Sequence, residues 1–151
     1  EVDEAYVGGV HPRNKGRENF NKTIVFGMLQ REGNLMTRVV QNVGKDMLFK
    51  HIKANIVKGS RISSDEFRSY RTLPKHGYPH QSVNHVRKQW ASGDVHTNGL
   101  EGFWSMLKRA IRGTHVHVSG KHLPKYLGEF EYRYNMRKDG DLMFPRLVLS
   151  F

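Results

Sequence analysis

TIVFGMLQREGNLMTRVVQNVGKDMLFKHIKANIVKG, residues 23–59, holds two periods side by side. TIVFGMLQ and LMTRVVQN are rich in β-branched and long apolar residues. REGN between them is turn material, so this half reads as two antiparallel strands. From Gly44 onward the spacing changes. Met47, Leu48, His51, Ile52 and Ile56 recur every three or four positions, one face of a helix. Strands that give way directly to an amphipathic helix point to a mixed α/β chain.

Working outward, Val2 to Val7 alternates as a strand, with Asp3, Ala5 and Val7 on one face, and Gly8-Gly9 ends it. Residues 11–22, HPRNKGRENFNK, form a polar, basic loop. Downstream, the short strand RISS ends at Asp65, and Phe67 to Leu73 reads as a brief helix stopped by Pro74. QSVNHV is a fifth strand, followed by a loop over residues 86–97 that carries Arg87, Lys88 and Trp90. A helix then starts at Thr97 or Asn98, both good N-caps. Its buried stripe is Leu100, Phe103, Trp104, Leu107 and Ile111, and Gly113 ends it. The last helix spans His122 to Arg137, with Leu123, Tyr126, Leu127, Phe130 and Tyr134 inward and Glu129–Arg133 as an i, i+4 pair. The order β-β-β-α-β-α-β-α-α makes a mixed sheet of about five strands, three antiparallel and then parallel βα units, flanked by helices. That is the order of the ribonuclease-H-like fold, in one domain over residues 1–151.

Composition narrows the partner. Lys and Arg number 25 against 14 Asp and Glu, a formal charge of +11. Such an excess favours a polyanion, nucleic acid before an anionic membrane surface. There is no cysteine, which excludes disulfides and cysteine-ligated zinc. No apolar run nears the roughly 18 residues of a membrane span. The opening EVDEAYVGG has no Met and no signal peptide and reads as the interior of a longer polypeptide.

With so few acids, their positions are informative. Asp3 lies within the first strand, Asp65 ends the fourth and Glu101 sits one turn into a helix beside an apolar stripe. In the order above, the first and fourth strands are neighbours and a later helix crosses their ends, so the three converge at one edge. Converged carboxylates repel one another, and a hard cation such as Mg²⁺ or Mn²⁺ relieves the cost. Two such ions about 3.5–4 Å apart suit in-line phosphoryl displacement. Each acid also has an ordinary reading: strand end, turn cap before Phe67, and first-turn glutamate favoured by the helix dipole. Spacing does not choose between Asp3 and Glu4 or between Asp65 and Glu66, although alternation places Glu4 with Val2 and Tyr6. Asn98 shares a helix face with Glu101, and Ser105, Lys108 and Arg112 continue that polar face.

VDEAYVGG, SDEFRSY and VHTNGLEGFWSMLKRAIRGTHVHVSGKHLPKYLGEFEYRYNMR together resemble the ISXO-like transposases of bacterial insertion sequences, part of the DDE group with a ribonuclease-H-like core. The resemblance covers essentially the whole chain. It implies Asp3, Asp65 and Glu101 as catalytic metal ligands for Mg²⁺ or Mn²⁺, and Asn98 as the asparagine of the N-x-x-E motif, either ligating or hydrogen-bonding. His96 and Thr97 match the residues just before that motif. It implies cleavage of DNA at transposon ends and 3′-OH strand transfer into target DNA, by a homo-oligomer on DNA in the bacterial cytoplasm, at the nucleoid. Arg87, Lys88, Lys108, Arg109, Arg112, Arg133 and Arg137 are the candidates for DNA-backbone contact, and Trp90 for stacking on a base or for packing. Two departures stand out. The zinc-binding and helix-turn-helix region that usually precedes the catalytic part is absent before Glu1, and Val10 replaces a frequent Lys. His115, His117 and His122 lack an acid or cysteine at matching spacing and read as residues near DNA phosphate rather than as a zinc site. The competing readings are a non-catalytic DNA-binding domain of a decayed element and a nuclease of the same fold that cuts without joining.

Overall fold

The computed structural model describes residues 1–8, 22–83, 96–115 and 118–149. Alternating apolar residues build β1 (Val2–Val7), β2 (Thr23–Leu29) and β3 (Leu35–Val40), an antiparallel sheet in that order. Asp3 stands opposite Gly27, and Gly27 opposite Thr37. Gly8 closes β1 with a φ of 137°, a conformation that side chains disfavour. Two three-residue strands, β4 (Ile62–Ser64) and β5 (His80–Ser82), pair in parallel.

β4 lies against β1, so the strands run across the molecule in the order β3-β2-β1-β4-β5. They do so as two hydrogen-bonded sheets rather than the single sheet of about five strands that the sequence suggests. β4 is only three residues long, and the chain leaves it at Asp65. The last residues of QSVNHV, 84–86, lie outside the described residues, as do residues 11–21.

Alternation gives the three-stranded sheet two apolar faces. On one, Val2, Phe26, Met28 and Val40 pack with Leu48 and Ile52 of α1 (Lys45–Asn55) and with Ile62 and Tyr70. On the other, Ala5, Val7, Val25, Leu29 and Leu35 pack with α2 (Asn98–Ala110) and α3 (Leu123–Asn135). All five residues of the α2 stripe are buried, Leu100, Phe103, Trp104, Leu107 and Ile111. Beyond Ala110 the helix does not stop at Gly113 but widens into a π-helical turn, Ile111–His115.

Two further differences concern proline. The helix after Asp65 is a 3-10 helix, Arg68–His76, that runs through Pro74 and ends at Gly77, whose φ is 84°. Buried Tyr70 and Leu73 anchor it, and their packing outweighs the donor that the proline lacks. A fourth helix, α4 (Gly140–Val148), contains Pro145 and buries no residue. It has no inward stripe, which is why periodicity passes over it.

The outer backbone of β3 is satisfied by α3. Asn135 accepts from Leu35 N–H at 2.7 Å and donates to Leu35 C=O at 2.9 Å. One turn earlier, Glu131 accepts from both the N–H and the hydroxyl of Thr37, at 2.8 and 3.0 Å. An Asn135→Ala variant therefore leaves one amide and one carbonyl without partners. The expected cost is about 1–3 kcal/mol of unfolding free energy, read as a lower urea midpoint with an unchanged slope.

Candidate active site

The site is built where α2 crosses the sheet. Gly27 makes the crossing close: a Cβ there would stand 2.5 Å from the Trp104 indole and 2.9 Å from Leu100. The indole thus occupies the space of the missing side chain. Its N–H donates to Asp3 Oδ2 at 2.9 Å across the strand pair. Trp104 follows Glu101 by three residues, so the helix turn that brings the indole to Asp3 also brings Glu101 to the same side.

Alternation sends the two acids of β1 to opposite faces of the sheet. Asp3 shares the α2 face, whereas Glu4 points to the opposite face, where it accepts a hydrogen bond from the buried Tyr70 hydroxyl. Glu101 is oriented by Thr97, a buried N-cap whose hydroxyl donates to Glu101 Oε1 at 2.9 Å instead of capping the helix backbone. Asp65 leaves β4 and accepts from Phe67 N–H at 3.0 Å, the turn-capping geometry that its position allows. Behind it, Ser64 Oγ donates to the Asp65 carbonyl and lies 2.8 Å from His80 Nε2. Asn98 is exposed at the first residue of α2.

The acids sense one another. Burial, and then the Asp65 charge, push the Asp3 carboxyl up to about 6, with a smaller push from Glu101, against the pull of its hydrogen bonds. Glu4 is pushed up to about 7, first by burial and then by Asp65 and Asp3, with the Tyr70 hydrogen bond opposing. The Tyr70 hydroxyl is itself pushed upward by burial and by Glu4. Burial lowers His80, and Asp65 opposes that shift. Among the described residues, no three His, Cys, Asp or Glu side chains close on a common point. The carboxylates are electrostatic neighbours rather than a closed cage. Their donor chemistry, all oxygen and mutually repelling, fits a hard divalent ion and does not fit zinc.

A second network fixes the start of α2. The Glu1 carboxylate is almost wholly buried. It pairs with Arg31 at 3.3 Å and accepts from Leu100 N–H at 3.2 Å, as the positive end of a helix favours, while His96 Nδ1 lies 3.2 Å away without hydrogen-bonding geometry. Neither Glu1 nor Arg31 has a sequence signal for this role, because Arg31 and Leu100 lie 30 and 99 residues from Glu1.

Of the candidate DNA contacts, Lys108, Arg109 and Arg112 gather with Ser105 and Gly113 around one shallow concavity along α2. Arg133 and Arg137 are engaged elsewhere. Arg133 pairs with Glu129 at 2.7 Å. Arg137 donates to the carbonyls of Tyr134 and Gly33 and stacks 4.1 Å over the Tyr134 ring, tying α3 to the β2–β3 turn. Arg87, Lys88, Trp90 and His117 lie outside the described residues.

The family model of the ISXO2-like transposase domain matches residues 1–135. The chain belongs to this family. The match runs from β1 to the last residue of α3, so α4 lies beyond it. An uncharacterized transposase-like protein of Haemophilus influenzae is 31% identical over 99 residues, which cover 66% of this chain and 79% of that protein. No solved structure matches the chain. Among the described residues, no helix is long and apolar enough to cross a membrane.

Raised carboxyl groups have a definite sign in stability. Both forms of the chain hold these protons below about pH 4, and the folded form keeps them longer, so folding loses stability as pH rises from there through 6 and 7. Asp3→Asn, which can still accept from Trp104, is expected to reduce that fall. The check is the difference in melting temperature between pH 5 and pH 8 in chelator-treated buffer, compared between the two proteins.

Proposed function

We propose that this domain is the catalytic core of a DDE transposase with a ribonuclease-H-like fold, acting on double-stranded DNA at transposon ends. The observation that carries this reading is the coupling of Asp3, on the central strand, to Asp65 and Glu101 from two other elements. The strand order β3-β2-β1-β4-β5 supports the same fold. The family membership supports the reaction class.

In this reading Asp3, Asp65 and Glu101 hold the divalent ions, two Mg²⁺ or Mn²⁺, with Asn98 beside them at the start of α2. When bound, the ions neutralise the carboxylates and stabilise charge on the reacting phosphate. Thr97 keeps Glu101 directed to the site. Lys108, Arg109 and Arg112 hold the phosphate backbone alongside α2. Water displaces the 3′ oxygen of a phosphodiester at the element's end, leaving a 3′-OH and a 5′-phosphate. The freed hydroxyl then attacks a target phosphodiester, forming one bond and breaking another, so joining needs no external energy source. No protein nucleophile enters either step. Joining two ends in concert calls for more than one copy on the DNA.

The test supplies the intact protein with terminal-repeat DNA, a target plasmid and Mg²⁺ or Mn²⁺. Metal-dependent joining that Asp65→Asn abolishes is the expected result. Cutting without joining would assign a nuclease. Binding without reaction, unchanged in the variant, would assign a passive DNA-binding domain. For the metal site alone, millimolar Mn²⁺ is expected to raise the melting temperature of this chain, and Asp3→Ala to remove the rise.

A further inference from the structure

A buried indole N–H needs an acceptor, for which any uncharged carbonyl would serve. Trp104, only 5% exposed, instead spends its donor on a carboxylate that is itself largely desolvated. The fold makes deliberate room for this. Gly27 is the register partner of Asp3, and any side chain at Gly27 would strike the indole. The indole belongs to the helix that also carries Glu101, one turn away. A single 2.9 Å bond therefore ties the strand holding one acid to the helix holding another.

We propose that Trp104 is a positioning residue of the site. Its N–H fixes which oxygen of Asp3 faces a divalent ion, and it sets the separation of Asp3 from Glu101. This rests on the reading of those two acids as ligands. Gly27 belongs to the same device as the vacancy that admits the ring. Unlike an ordinary packing aromatic, Trp104 is then needed for metal affinity beyond its share of stability. Outer partners that orient metal ligands typically change affinity or activity by about 10–100-fold when removed.

Trp104→Phe keeps a ring in the core and deletes the donor. Leu127→Ala disturbs the same core from α3 and serves as the structural control. Mn²⁺ titrations of all three proteins are followed by melting temperature, and joining is measured with a pre-cut, 3′-OH-ended duplex and plasmid. The expected result is Mn²⁺ affinity weakened about 10–100-fold in Trp104→Phe, with a slower joining rate. DNA binding without metal should be unchanged, and Leu127→Ala should keep the wild-type Mn²⁺ affinity.

Gly27→Ala, which displaces the indole while leaving both N–H and carboxylate in the chain, should reproduce the loss. In the unmodified protein, substoichiometric Mn²⁺ should broaden the Trp104 indole N–H resonance, and Asp3→Asn should prevent this. A wild-type chain that responds to Mn²⁺ while Trp104→Phe matches it overturns the role of Trp104 alone, as does broadening that spares this resonance. A wild-type chain with neither a Mn²⁺ response nor joining overturns the active-site reading beneath it.

Discussion

The close seating of α2 on the sheet is the constraint from which the rest of the site follows. A helix that crosses a sheet normally stands off by the length of the side chains between them. Here Gly27 removes one of those side chains, and the Trp104 ring fills the gap edge-on to its neighbour Phe103. The helix is held at its start by the buried Glu1 carboxylate, which accepts from Arg31 and from the amide of Leu100, while Arg31 also donates to the His96 carbonyl. It is held along its length by the apolar stripe from Leu100 to Ile111. Position and rotation of the helix are thereby defined, and with them the side to which Glu101 and the basic residues from Ser105 to Arg112 are presented.

The electrostatics follow from that seating. A strongly basic protein gathers acids beside its central strand, where burial and mutual repulsion raise the proton affinity of Asp3 and Glu4. The two faces of β1 treat them differently. Glu4 is given a dedicated donor, Tyr70, and turns into the core beneath the 3-10 helix. Asp3 receives a donor from the helix that carries Glu101 and stays on the side where α2 places its polar residues. One strand thus separates a carboxylate engaged by the core from one that meets the helix carrying Glu101.

Much of this architecture is legible in the residues themselves. The change of period at Gly44, the alternation of β1 and the stripes of α2 and α3 each reflect burial of one face, and burial leaves a periodic trace. The same alternation separates Asp3 from Glu4. What periodicity does not record is contact between distant single residues: the indole of Trp104 reaching Asp3, Tyr70 reaching Glu4, or Asn135 reaching Leu35. Such bonds depend on the relative placement of elements and leave no local signature. Gly27 was visible only as a glycine in a strand. Pro74 misled because proline is a stop signal for ordinary helices, yet a 3-10 helix absorbs it.

The clasp of α3 along β3 also bears on how relatives of this domain can differ. With the amide and carbonyl of Leu35 both taken by one asparagine, and the amide of Thr37 by one glutamate, the first half of that edge is closed to an incoming strand. Inserted segments can lengthen connecting loops there, but they cannot widen the platform without first evicting a helix.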